Sequence, residues 1–175
     1  MSILDTTKAY AIRKHKSVNQ KYDGYDYDFH LNMVFEIAQK FIHLIPPKEQ
    51  ENVLAACWVH DIIEDARETY NDVRKATNET IAELAYALTN EKGRNRMERA
   101  NDKYYKGIRD TKNASFIKFC DRIANVMHSK YKGSRMFDVY RQENAHFVSK
   151  IYVPECEEMS TYLINMFNEV TQELD

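Results

Sequence analysis

Residues 53–65 read Val53-Leu54-Ala55-Ala56-Cys57-Trp58-Val59-His60-Asp61-Ile62-Ile63-Glu64-Asp65. Val53, Ala56, Cys57, His60 and Glu64 recur at the i, i+3, i+4 spacing of one helical face. The stretch predicts a helix starting near Lys48, apolar along its upper part and polar on its C-terminal turn. His60 and Asp61 put an imidazole nitrogen and a carboxylate oxygen side by side. That donor pair suits Mn²⁺, Fe²⁺ or Zn²⁺ better than Mg²⁺ or Ca²⁺, which prefer oxygen alone. Glu64, one turn on, is placed to act as a base rather than a ligand. The same residues also fit a plainer reading, a histidine on the negative end of a helix dipole beside a solvated aspartate.

Outward from this stretch the chain reads as helices throughout. A first helix is expected over Asp5 to Val18, capped by Asp5 or Thr6. The tyrosine-rich segment Asn19 to Asp28 reads as a loop. A second helix runs from Phe29 to Leu44, stopped by Pro46-Pro47. Thr69 opens a short helix to Ala76, and Asn78 caps another through Leu88. The charged segment Glu91 to Arg109 reads as a mobile helix or a lid. Asn113 begins a helix with Phe116, Phe119, Cys120, Ile123 and Met127 as its buried row. Lys118, Asp121 and Asn125 form a separate polar row on it. Two further helices, Ser134 to Tyr152 and Pro154 to Glu173, complete an all-α chain, Pro154 fitting the first turn of the last. No segment shows strand alternation.

Composition agrees. The 175 residues suffice for one domain with a real core, and 43% hydrophobic with 30% charged residues exclude a wholly disordered chain. Four glycines and three prolines are too few for a turn-rich β-sandwich. A net charge of −2 argues against a nucleic acid polymer as partner, while local basic clusters can still hold a small polyanion. Cys57, Cys120 and Cys156 form no CxxC and read as reduced, buried residues of a cytoplasmic protein. No apolar run reaches the ~20 residues of a membrane span, and no signal peptide is visible. A homo-oligomer is compatible with all of this.

Two more polar elements accompany His60-Asp61. Upstream stands Tyr27-Asp28-Phe29-His30, in which His30 taken alone reads as a satisfied structural histidine before a ligand. Downstream, Lys118-Phe119-Cys120-Asp121-Arg122-Ile123-Ala124-Asn125 places an acid inside an apolar helix, costly unless it is paired or ligated. Arg122 points about 100° away from Asp121, so a bound cation is the more economical partner. One of Tyr22, Tyr25 and Tyr27 is a candidate to stack on a base. His43, His128 and His146 read as surface residues, and Arg94, Arg96 and Arg99 as a solvated face or a phosphate-contacting loop.

In these elements the chain resembles the HD-domain metal-dependent phosphohydrolases. Within them it is most similar to the small single-domain RelA/SpoT-type hydrolases of (p)ppGpp. The likeness rests on Arg13-Lys14-His15, on Tyr27 to His30, on His60 to Asp65 and on Lys118 to Asn125, and spans Lys8 to Lys130. It implies a single HD-domain helical bundle over residues 1–175, with His30, His60, Asp61 and Asp121 as ligands of a divalent metal, Mn²⁺ by expectation. Glu64 and Asp65 would activate and position water, while Lys14, Lys21, Tyr27, Lys118 and Asn125 would contact a small nucleotide. The reaction implied is release of pyrophosphate and GDP or GTP. Alternatives are hydrolysis of another nucleotide (NADPH, a nucleoside monophosphate or a cyclic nucleotide) and a silent nucleotide sensor. The chain departs from the pattern at Asp26 and Leu31, where the family has Pro, at Ala66 in place of Thr, and in a shorter basic loop whose one cation is Lys21.

Overall fold

The computed structural model describes residues 1–168. Helix α1 (Ile3–Ser17) starts earlier than expected because Ser2, not Asp5 or Thr6, is its cap. Ser2 Oγ accepts from the Asp5 N–H at 3.0 Å, and the Asp5 carboxylate accepts from the Ser2 backbone at 3.4 Å, closing a capping box. The expected loop holds a short antiparallel hairpin, β1 (Lys21–Tyr22) and β2 (Tyr25–Asp26), pairing Lys21 with Asp26 and Tyr22 with Tyr25. Its turn residues Asp23 (φ 48°) and Gly24 (φ 85°) adopt the two left-handed conformations that a two-residue hairpin turn demands.

Helix α2 (Asp28–Lys40) ends a turn before Leu44, and Ile42–Leu44 continue as a single 3₁₀ turn. Ile45 is then extended ahead of Pro46, and Pro47 occupies the first turn of α3 (Pro47–Val59). The expected continuous helix through Glu64 breaks at the polar cluster. His60 keeps helical angles, Asp61 turns to φ −106° and ψ 0°, and a separate turn, α4 (Ile62–Asp65), follows. Thr69 and Asn78 cap α5 (Tyr70–Ala76) and α6 (Glu79–Ala87) through their side chains, as their positions predict.

The charged segment forms two helices, α7 (Arg96–Arg99) and α8 (Asp102–Asp110), rather than one. Next comes α9 (Ala114–Tyr131), the longest helix among the described residues, with Phe116, Phe119, Cys120 and Ile123 buried as expected. Met127 is the exception. It is 42% exposed, and Val126 takes the inward place on that turn. Helix α10 (Met136–Ile151) and α11 (Glu157–Asn168) close the described chain; Pro154 opens a 3₁₀ turn ahead of α11, and Glu173 lies outside the described residues.

The architecture is all-α apart from the hairpin. Helix α3 packs on α1, α2 and α6, while α9 packs on α2, α8 and α10. Helices α2, α3 and α9 therefore converge around buried Leu31, Val34, Cys57, Trp58, Cys120 and Ile123. The three cysteines are free and buried. No helix among the described residues is long and apolar enough to cross a membrane.

Two glycines test the backbone account in opposite directions. A Cβ at Gly24 or Gly107 meets nothing within 4 Å, so packing does not enter. Gly24→Ala forces a left-handed residue on an L side chain and should cost about 1 kcal/mol. Gly107→Ala sits inside α8 and should gain about 0.5–1 kcal/mol. Urea unfolding of both variants checks the pair; a stabilised Gly24→Ala would contradict the hairpin turn.

Candidate metal centre

Three backbone elements bring four polar side chains together, of which His30, His60 and Asp121 form the mutually close donor set and Asp61 stands beside His60. The first turn of α2 carries His30, the α3–α4 break carries His60 and Asp61, and the middle of α9 carries Asp121. Within an unbroken helix, adjacent side chains diverge by about 100°. The turn of backbone at Asp61 removes that divergence. His60 Nε2 lies 2.9 Å from Asp61 Oδ2 and 3.7 Å from Asp121 Oδ1, while His30 Nε2 lies 3.2 Å from Asp121 Oδ1 and 3.8 Å from Asp61 Oδ2. Donor atoms of His30, His60 and Asp121 all fall within 4.8 Å of one another, and all three residues are buried.

The chemistry of the donors fits a cation. His60 Nδ1–H donates to the Cys57 carbonyl at 2.8 Å, an oxygen that can only accept, so Nε2 is the atom left facing the carboxylates. That Nε2 is buried and, although close to Asp61, lacks the alignment of a hydrogen bond. Imidazole and carboxylate lone pairs that converge without bonding one another are the arrangement expected around a shared ion.

Charge supports the same fit. Burial opposes ionisation of Asp121, but Lys118 and then His30 and His60 outweigh it and hold the carboxyl well below its usual range. Asp61 is likewise driven down, burial being overcome chiefly by His60. His60 is pushed well above 6.5: burial works against the charged ring, and Asp61 with Asp121 more than offsets it. The centre thus attracts positive charge, for which a proton on His60 and a divalent ion compete. Lys118 Nζ binds Asp121 Oδ2 at 2.7 Å, a partner for this acid one turn back on its own helix.

Neither expected water-activating carboxylate bonds to this cluster. Glu64 is exposed and accepts from the backbone N–H and side-chain amide of Asn90, at 3.2 and 3.0 Å. Asp65 is half-buried, and burial, followed by the charges of Asp61 and Glu64, pushes its carboxyl up to about 7.

A second ring of contacts holds the donors. Tyr27 Oη donates to Asp61 Oδ2 at 2.6 Å, and Asn125 Nδ2 donates to Asp121 Oδ1 at 2.8 Å. Tyr22 Oη donates to Asn125 Oδ1 at 2.7 Å, with its ring stacked on His30 at 4.6 Å. His15 stacks on Tyr27 at 4.6 Å with neither ring nitrogen hydrogen-bonded, and burial lowers its pKa to about 4. Of the other expected substrate contacts, Lys14 pairs with Glu68 at 2.9 Å and Lys21 with Asp26 across the hairpin. His128 is not an isolated surface histidine: it bonds Asp23 at 2.8 Å and packs on Tyr22 and Phe29.

The two sides of the centre differ in character. Toward the hairpin lie Tyr22, Tyr27, Phe29 and His128, with Tyr25 and Phe29 stacked at 4.5 Å and 48% and 37% exposed. Beyond Lys118 lies a cleft of about 490 Å³ that none of the four donor residues lines; its walls include Lys118, Arg122, Arg96, Arg99 and Asn90, with Arg96 paired to Glu143 at 2.9 Å. Arg122 pairs not with Asp121 but with Glu143, at 3.3 Å, and its guanidinium lies 4.0 Å from the Phe147 ring centre. Sequence reasoning gave no site role to Arg122 or Asn90. The arginine spacing in the charged segment was the signal available for this wall.

No protein-family model matches the chain, and no curated protein matches its sequence. Among solved structures the chain is similar to a metazoan ortholog of SpoT, described as hydrolysing ppGpp and playing a role in starvation responses. The two are 20% identical and superpose with a TM-score of 0.70 over 97% of this chain and 93% of that one. At that identity the likeness is one of fold: this chain has the helical fold of that protein along nearly its whole length.

Proposed function

We propose that the protein is a metal-dependent nucleotide phosphohydrolase that removes the 3′-pyrophosphate from (p)ppGpp, leaving GDP or GTP. The observation that carries this reading is the gathering of His30, His60, Asp61 and Asp121 beside an aromatic hairpin, with Lys118 joining Asp121 to a cleft of further cations. His30, His60, Asp61 and Asp121 would hold one divalent ion; the mixed nitrogen and oxygen donors suit Mn²⁺, Fe²⁺ or Zn²⁺, and the resemblance to the (p)ppGpp hydrolases favours Mn²⁺ among them. When bound, the ion supplies Lewis acidity toward a phosphoryl oxygen and a lowered water pKa.

The remaining roles belong to side chains. Lys118, Arg122, Arg96 and Arg99 offset the charge of a pyrophosphate and the charge that develops on it as its ester bond breaks. The stacked, exposed Tyr25 and Phe29 offer a face on which a purine can lie. Asp65, with its carboxyl near 7, is suited to take the proton from the attacking water, and Glu64 shares the task of positioning it. Tyr27 and Asn125 act here through Asp61 and Asp121, which supports a ligand-orienting role beside any contact with substrate. The cytoplasm, where such nucleotides are made and consumed, is the matching compartment.

Purified protein with Mn²⁺ and a panel of nucleotides tests the reading, with products identified by mass. Pyrophosphate and GDP or GTP should appear from ppGpp and pppGpp. Turnover of nucleoside monophosphates without turnover of ppGpp would reject the substrate while keeping the reaction class. Binding with no turnover of any member would reject the enzyme in favour of a sensor. In the active case, Asp65→Asn and Glu64→Gln should each slow kcat by about 10²-fold or more with the metal retained. The variant that keeps near-native kcat is not the base.

A further inference from the structure

The two histidines of the centre are held by different means. His60 is fixed by its Nδ1–H on the Cys57 carbonyl. His30 has no such anchor: its Nδ1 is buried and without a hydrogen-bond partner among the described residues. Its nearest ring neighbour is Tyr22, stacked face to face with centroids 4.6 Å apart and planes within 17°, while Tyr27 and His60 touch it at a tilt with centroids 5.4 Å away.

The same tyrosine reaches a second ligand. Tyr22 Oη donates to Asn125 Oδ1 at 2.7 Å, and Asn125 Nδ2 in turn donates to Asp121 Oδ1 at 2.8 Å and to the Asp121 carbonyl at 3.0 Å. A carboxamide bound at both ends has one orientation, with its N–H groups toward the aspartate. The hairpin that presents Tyr22 is itself fastened to α9. Asp23 Oδ2 lies 2.8 Å from His128 Nε2 and 3.6 Å from Lys132 Nζ. Asn125, His128 and Lys132 are spaced i, i+3 and i+7, so they share one face of α9. The hairpin therefore lies along α9 as a clip, with the Tyr22 ring between His30 and His128.

We infer that Tyr22 is a positioning residue of the metal centre, orienting His30 by its ring and Asp121, through Asn125, by its hydroxyl. This rests on the metal reading above. Groups of this kind are worth about 10- to 100-fold in metal affinity or activity. A helical ligand carried by α2 and another carried by α9 are thereby tied to one small hairpin, although neither helix contributes to it.

Equilibrium dialysis of Mn²⁺ against the full chain at constant neutral pH tests the inference. Tyr22→Phe keeps the stack and loses the hydroxyl, and should raise the Mn²⁺ Kd about 10-fold while circular dichroism and the melting of the metal-free protein stay native. Tyr22→Leu loses both contacts and should raise it further, toward about 100-fold. In an Asn125→Ala background, Tyr22→Phe should add little, because the hydroxyl acts through that amide. At saturating Mn²⁺ the nucleotide KM of Tyr22→Phe should stay native. Native Mn²⁺ affinity in both Tyr22 variants, with only KM raised, would overturn the inference and make Tyr22 a substrate contact. Failure of the native chain to bind Mn²⁺ would instead remove the metal reading on which it stands.

Discussion

Two carboxylates from separate parts of the chain, half-buried Asp61 at the α3–α4 break and buried Asp121 in α9, sit with two buried imidazoles where ions are poorly solvated, and much of the local structure answers that fact. An isolated buried carboxylate is among the least favourable groups a fold can contain. Here each has a positive or donating neighbour: Lys118 and Asn125 on Asp121, Tyr27 on Asp61. Lys118 takes Asp121 Oδ2, while Tyr27 and Asn125 donate to Asp61 Oδ2 and Asp121 Oδ1, the same oxygens that face His60 and His30. Two negative charges with one lysine leave the centre at −1, a net charge that draws a further cation to it.

The break between α3 and α4 is the backbone expression of the same demand. Asp61 takes φ −106° and ψ 0°, a sparsely allowed region that active-site residues often occupy. A straight helix would bury His60 and send Asp61 to solvent. The break aims both at one point and swings Glu64 outward to Asn90, leaving Asp65 half-buried behind the centre. The cleft beyond Lys118 and the aromatic hairpin side then differ in character, the first lined by Lys118, Arg96, Arg99 and Arg122 and the second by Tyr22, Tyr25 and Phe29.

Much of this was legible in the sequence. Apolar rows at helical spacing predicted the all-α architecture, and the side-chain caps at Thr69 and Asn78 marked two helix starts to the residue. Adjacency of His60 and Asp61, with His30 and the costly acid Asp121, pointed to one cluster. What escaped depended on tertiary contact. The turn at Asp61 cannot be read from propensity, so Glu64 was expected on the face of His60. The choice of Val126 over Met127 as the inward residue is made by the helices that pack on α9 rather than by the local pattern. The hairpin did carry a signal, Asp23-Gly24, but with two residues in each strand it leaves no alternation to read. Tyr22 and His128 gain their roles only when that hairpin lies on α9.

If one divalent ion is held by His30, His60, Asp61 and Asp121, metal content measures it most directly. Native protein reconstituted with Mn²⁺ and freed of excess should retain a single ion per chain. His60→Ala and Asp121→Asn should retain far less, and Mn²⁺ should raise the melting temperature of the native chain but not of these variants. Full occupancy in either variant, or none in the native protein, would contradict the account.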